Sequence, residues 1–148
     1  MADAYEVIND LLDDDLNNVD LQLLAADLAI GGSGIVDAIA DLDLENLDTS
    51  VEDILATIDL ALVTASADHI LAAEALDPTA ISPDQYLNTG LILLARAAEE
   101  AGDFATLSDP LVTVDSSDPG FDTLVDTDRF ITLGGGSLSD YGITNSNL

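Results

Sequence analysis

The sequence predicts a mainly α fold: a small helical bundle built around a long antiparallel helical hairpin, followed by an extended C-terminal segment with short β-strands. Three observations predict it. Apolar residues recur at helical spacing in several stretches before about residue 106. Two of those stretches carry strong start and stop signals and are joined by a short connection. After Phe104 the texture changes to short apolar runs separated by Asp, Pro, Gly and Ser. The chain therefore reads as a helical bundle over 1–106 and an extended docking segment over 107–148.

The first helix is expected from Ala4 to Asp15, with Asp3 as cap and Val7, Ile8, Leu11 and Leu12 on one face. Asn17 and Asn18 interrupt it. The second, about Asp20 to Ile30, carries Leu21, Leu24 and Leu28 at helical spacing. Gly31 and Gly32 are the expected stop, because glycine accepts the left-handed conformation that follows a helix. A short third helix, Gly34 to Asp41, is expected before an acidic loop that reaches Thr49.

The hairpin follows. Ser50 is a natural N-cap, and Glu52 and Asp53 suit the positive end of the helix dipole. Val51, Leu55, Ile58, Leu62, Ala65, His69, Ala72 and Leu76 alternate in steps of four and three, a heptad seam closed by Asp77-Pro78. Ser82-Pro83-Asp84-Gln85 then opens the partner helix. Ser is the N-cap, Pro occupies the first turn, and Gln completes a capping box. Leu87, Gly90, Leu94, Ala97 and Ala101 form its seam, and Gly102 stops it. Gly90 and the alanines allow close approach to the preceding helix, so Leu62 should face the helix that begins at Ser82.

In the C-terminal third, Leu111 to Val114 reads as a strand and Ser117-Asp118-Pro119-Gly120 as a turn. Phe121 to Val125 and Arg129 to Leu133 read as strands around an Asp126 to Asp128 turn. Gly134 to Leu148 is rich in Gly, Ser and Asn and reads as flexible on its own. So small a sheet cannot bury all its apolar side chains. Leu111, Val112, Val114, Phe121, Leu124, Val125, Phe130, Ile131 and Leu133, with Arg129, are thus the expected interface, and removal of 107–148 should leave a folded helical core.

Composition bounds the function. The chain has 30 acidic residues against 2 basic ones, a net charge of −28, and no lysine. Acid at that density normally opposes compaction. Yet 48% of residues are hydrophobic and mean hydropathy is +0.31. The two properties fit together in concentrated salt, where the Debye length falls to roughly 3 Å and carboxylate repulsion is screened. Most of the acid is aspartate, and Glu occurs only at 6, 45, 52, 74, 99 and 100. Short aspartates and absent lysines both minimise exposed hydrocarbon, which salt would drive out of solution. This composition resembles that of haloarchaea and their viruses.

Other classes are disfavoured. Without cysteine there is neither a disulfide framework nor a thiolate metal site. No signal-type N-terminus is read, and no apolar run approaches the ~20 residues that span a bilayer, so no membrane association is expected. Two arginines cannot neutralise a phosphate track, so direct nucleic-acid binding is not expected. Asp41, Asp43, Glu45 and Glu52 stand at the first, third, fifth and twelfth positions of a calcium-loop pattern. Asn46 replaces its glycine and Asp48 its apolar residue, so a solvated loop is the expectation and no metal or cofactor is assigned. His69, the sole histidine, lies on the seam and reads as a partly buried, hydrogen-bonded core residue. For an enzyme, Asp41, Asp43 and His69 are the residues to test. Arg96 is expected to pair with Glu99 or Glu100. Gly134-Gly135-Gly136-Ser137 lacks the lysine and following helix of a phosphate loop.

The expected function is a non-enzymatic structural subunit of a homo-oligomeric assembly. A compact helical hairpin followed by an extended, glycine-rich segment suits docking by strand addition. The layout resembles the head–tail connector proteins of tailed viruses, a helical bundle in a ring with segments that reach to neighbouring rings. That resemblance implies a virion component, or a cytoplasmic one in a high-salt host, whose partners are copies of itself and other structural proteins. The alternative is a soluble acidic binding protein: a nucleic-acid mimic, an antitoxin-like inhibitor or a regulator.

Overall fold

A computed structural model describes residues 2–34, 58–102, 104–109 and 114–144. They form α-helices and 3₁₀ turns, and no β-strand occurs among them. The chain divides into two compact units, Met1–Ala80 and Ile81–Leu148. The change of texture near 106 thus falls inside the second unit. Residues 35–41 of the third expected helix, the acidic loop with Asp41, Asp43, Glu45 and Glu52, the Ser50 cap, Val51 and Leu55 of the seam, and Leu111 and Val112 lie outside the described residues.

The first unit contains α1 (Ala2–Asp14), α2 (Val19–Ser33), α3 (Leu60–Leu76) and a 3₁₀ turn, Pro78–Ala80. The two asparagines do separate α1 from α2. Asn18 caps α2 by accepting from the Leu21 N–H, and its amide donates to Asp15 at 3.1 Å. Gly31 and Gly32 do not stop α2. It continues to Ser33, and the left-handed residue is Gly34, with φ 79°. In α3 the N-cap is Asp59, whose carboxylate accepts from the Ala61 and Leu62 N–H groups. The Asp77-Pro78 stop holds.

α2 and α3 pack antiparallel, and three hydrogen bonds set their register. Asp59 N–H donates to Ser33 O at 2.8 Å, Ser66 Oγ donates to Ala26 O at 2.9 Å, and His69 Nδ1 meets Gln22 Oε1 at 2.7 Å. Steps forward on α2 meet steps back of nearly equal length on α3. The buried stripe of α2 is Gln22, Ala25, Ala26, Ala29 and Ser33; that of α3 is Val63, Ser66, Ala67, Ile70 and Ala73. The expected faces are therefore corrected. Leu24 is exposed, Leu62 only partly buried, and the heptad seam is rotated by about one residue. Small side chains let the two backbones approach, and the leucines are left on the flanks. α1 packs on α2 through the buried Leu12, while Val7 and Leu11 turn outward.

The second unit contains α4 (Pro83–Ala101), α5 (Phe104–Ser108), α6 (Phe121–Leu133) and a 3₁₀ turn, Leu138–Tyr141. α4 opens on the expected capping box and closes at Gly102. Its main partner is α6, as α2 is the main partner of α3. The two helices of the expected hairpin therefore pack on different neighbours. Gly90 does mark a close approach, but to α6. A Cβ there would lie 2.7 Å from Ile131 Cγ1 and 2.9 Å from Ile131 N. Gly134 answers it, since a Cβ there would lie 2.7 Å from the Leu87 backbone N.

The two strands expected around Asp126–Asp128 are one helix. Leu124, Thr127, Phe130 and Ile131 are buried at successive helical turns, and Asp126 and Asp128 lie off that stripe. Thr127 is accommodated because its Oγ1 donates to Thr123 O at 2.7 Å, a bond open to a β-branched hydroxyl in a helix. Val114 makes an isolated bridge. The glycine-rich end, as far as residue 144, joins the core: Leu138 and Ile143 are buried with Leu94, Ala97, Leu107, Val114, Leu124 and Ile131.

Candidate functional site

The first unit contains a polar node that joins its helices. Tyr5 of α1, Gln22 of α2 and His69 of α3 form a chain of hydrogen bonds. Gln22 Nε2 donates to Leu16 O at 3.1 Å, its Oε1 lies 2.7 Å from His69 Nδ1, and His69 Nε2 lies 3.2 Å from Tyr5 Oη. The chemistry assigns the protons. The Leu16 carbonyl can only accept, so the Gln22 amide nitrogen faces it. Gln22 Oε1 then faces His69 and must also accept, so Nδ1 carries the hydrogen. In the neutral ring Nε2 is left to accept from the Tyr5 hydroxyl. The two rings meet edge to face, with centroids 5.8 Å apart.

Burial lowers the His69 pKa from its usual 6.5, and the nearby Asp68 carboxylate opposes this in part. Burial also raises that of Tyr5, and Asp68 adds to the effect. His69 is thus the half-buried, hydrogen-bonded residue that its position suggested, although it flanks the α2–α3 seam. Its ring nitrogens face an amide and a phenol. Every buried side-chain nitrogen or oxygen among the described residues has a partner. No group of three His, Cys, Asp or Glu side chains among those residues can hold a metal ion.

Most of the described side chains expected at the interface are internal to the second unit. Val114, Leu124, Phe130 and Ile131 are core residues of the second unit. Phe121 packs against that core, while Val125, Arg129 and Leu133 are exposed. Phe130 stacks edge to face on Tyr86, with centroids 5.3 Å apart. Arg129 lies over the Phe130 ring, 4.6 Å from its centroid, and pairs with Asp126 at 3.3 Å. Arg96 pairs with Glu100 at 3.3 Å, as expected. Both ion pairs are exposed and worth about 0–1 kcal/mol. A cavity lined by Ala101, Thr106, Leu107, Val114, Asp118 and Pro119 measures about 70 Å³. Small-molecule sites usually measure roughly 300–1,000 Å³.

Most of the exposed large apolar side chains among the described residues lie on the first unit. Val7 is 59% exposed, Leu11 48% and Leu16 63%, and Leu24, Leu60 and Leu76 are exposed to a lesser degree. The signal for this was in the sequence. Val19–Ser33 and Leu60–Leu76 are apolar on all sides, so one buried stripe on each cannot hide all their leucines. Tyr5 and Gln22, by contrast, carry no local signal that ties them to His69. No protein-family model matches the chain, and no curated protein or solved structure is significantly similar to it. No helix among the described residues is long and apolar enough to cross a membrane.

Proposed function

We propose that the protein is a non-enzymatic structural subunit that assembles with copies of itself through the outer faces of α1, α2 and α3. The observation that supports this reading is the set of large apolar side chains left in water on the first unit. They are anomalous on a chain of net charge −28 whose composition otherwise avoids exposed hydrocarbon. Burying the exposed half of a valine or leucine is worth about 1 kcal/mol. Two copies that bury all six side chains on each side recover about 12 kcal/mol, within the roughly 4–15 kcal/mol that association costs. Assembly is therefore concentration-dependent rather than permanent. The partner is a second copy because its acidic rim becomes tolerable as salt screens it, which couples assembly to the salt that the composition suits.

A head–tail connector of a haloarchaeal virus remains the specific form of this proposal, carried by the helical bundle alone. The extended C-terminal reach that first suggested it is replaced by the helices of the second unit. Light scattering on eluting protein, from dilute buffer to molar KCl, tests the proposal. Mass should rise with salt and concentration, and Val7→Ser/Leu11→Ser should lower it while far-ultraviolet dichroism stays unchanged. A chain that stays monomeric in molar KCl at high concentration overturns it. Association that salt weakens points instead to charge-driven contacts and equally refutes this interface.

A further inference from the structure

We propose that His69 is a proton-operated latch for α1. α1 packs on α2 and reaches α3 through the Tyr5–His69 contact. With the ring neutral, each atom of the node is matched: Nδ1–H donates to Gln22 Oε1, and the Nε2 lone pair accepts the Tyr5 hydroxyl hydrogen. The Gln22 amide cannot turn over to accommodate a change, because its nitrogen is committed to Leu16 O. Uptake of one solvent proton goes onto Nε2 and makes it a donor. The Tyr5 hydrogen must then leave that line, and the phenol oxygen must accept in its place. The same step puts a cation between the helices where the ring is half-buried.

The groups that face the ring favour release over a rearranged closed state. α1 presents Tyr5, a phenol that does not ionise near neutral pH. α2 presents Gln22, an uncharged amide. Asp68, on the ring's own helix, is the carboxylate that acts on it, and it stays beside His69 whether α1 is docked or lifted. Lifting α1 lets water reach the cation, while Asp68 stays beside it. Protonation therefore shifts the population toward a lifted α1. Burial, which outweighs Asp68 at His69, works in the same direction. The inference does not depend on self-assembly, since the latch acts within one chain.

Amide hydrogen exchange on the full chain in molar KCl tests it. After correction for intrinsic rates, protection of α1 should fall several-fold between pH 7.5 and 5. α4 and α6, in the other unit, should not change. His69→Gln keeps a neutral hydrogen-bonding side chain and should flatten the α1 response. Equal α1 protection at both pH values overturns the latch. So does a response that survives in His69→Gln, because carboxylates would then be its source. Should that variant not fold, the lone histidine of the wild-type chain still reports by magnetic resonance. Its ring should titrate below 6.5 together with the Tyr5 ring signals, and titration at or above 6.5, or without a Tyr5 change, refutes the proposal.

Discussion

Substitution of Gly90 by alanine sets two effects of known size against each other. Alanine in a helix interior is favoured over glycine by about 1 kcal/mol. On α4, however, the new Cβ would lie 2.7 Å from Ile131 Cγ1, 2.9 Å from Ile131 N and 3.3 Å from Ile131 Cα. Ordinary carbon contacts are about 3.5–4.0 Å. A rotamer change at Ile131 can relieve the first contact but not those to its backbone. Relief therefore requires α6 to move away from α4 by a large fraction of an ångström. The crossing that must open holds Leu124, Phe130 and Ile131, all fully buried. Overpacking of this kind costs about 1–3 kcal/mol, and the backbone contacts place this case toward the upper end. After the propensity gain, Gly90→Ala should destabilise the second unit by about 1–2 kcal/mol. For a domain of this size that lowers Tm by roughly 4–16 °C. Thermal and urea unfolding in fixed molar KCl, followed by circular dichroism, measure it. A coupling test adds a second reading: Ile131→Ala, which removes the Cγ1 that the new Cβ meets, should cost less in the Gly90→Ala background than in the wild type. A stabilised Gly90→Ala protein would show that propensity wins and that the crossing is looser than described.

The α2–α3 seam makes an opposite pair of predictions: Ala67→Leu should cost about 1–3 kcal/mol by overpacking, whereas Leu62→Ala should cost less than the roughly 2–5 kcal/mol of a full core truncation. A larger loss for Leu62→Ala in urea unfolding would restore the original heptad seam. Stability should rise with KCl into the molar range, because exposed carboxylates repel one another less as the Debye length shrinks; equal unfolding midpoints in dilute buffer and molar salt would refute this. The neutral His69 should contribute stability fully above its usual pKa of 6.5 and lose it as pH falls, because the unfolded chain then binds the proton more readily. His69→Gln should remove that component, as differential pH titration of the unfolding midpoint would reveal. Deletion of 107–148 should unfold α4 rather than leave a stable helical core, because it strips away α6 and exposes the Gly90 face; a truncated chain with native exchange protection across 83–101 contradicts this.

What the sequence by itself determined are the features that a few neighbouring residues decide. Ser82-Pro83-Asp84-Gln85 satisfies the first N–H groups of α4 within one turn, so the capping box is legible without knowledge of any partner. Asp77-Pro78 and Gly102 end their helices for similarly local reasons, and Arg96 finds Glu100 along one helix face. Net charge and the missing lysines are properties of composition alone. The tertiary structure decided which side of a helix is inside. On α2 and α3 apolar residues occur all round, so periodicity names no direction; close packing then selected Ala25, Ala26, Ala29 and Ala67 and left Leu24 in water. It decided the state of 121–133 as well. Asp126 and Asp128 look like a turn between strands, yet burial of Leu124, Thr127 and Ile131 against α4 is available only to a helix. Gly90 announced a close approach but not to whom, because a missing Cβ makes room without naming the neighbour that uses it. The Tyr5–His69–Gln22 node has the same origin. Its members are far apart in the chain, and only the antiparallel register of α2 and α3, with α1 laid on α2, brings a phenol, an imidazole and an amide into one line of hydrogen bonds.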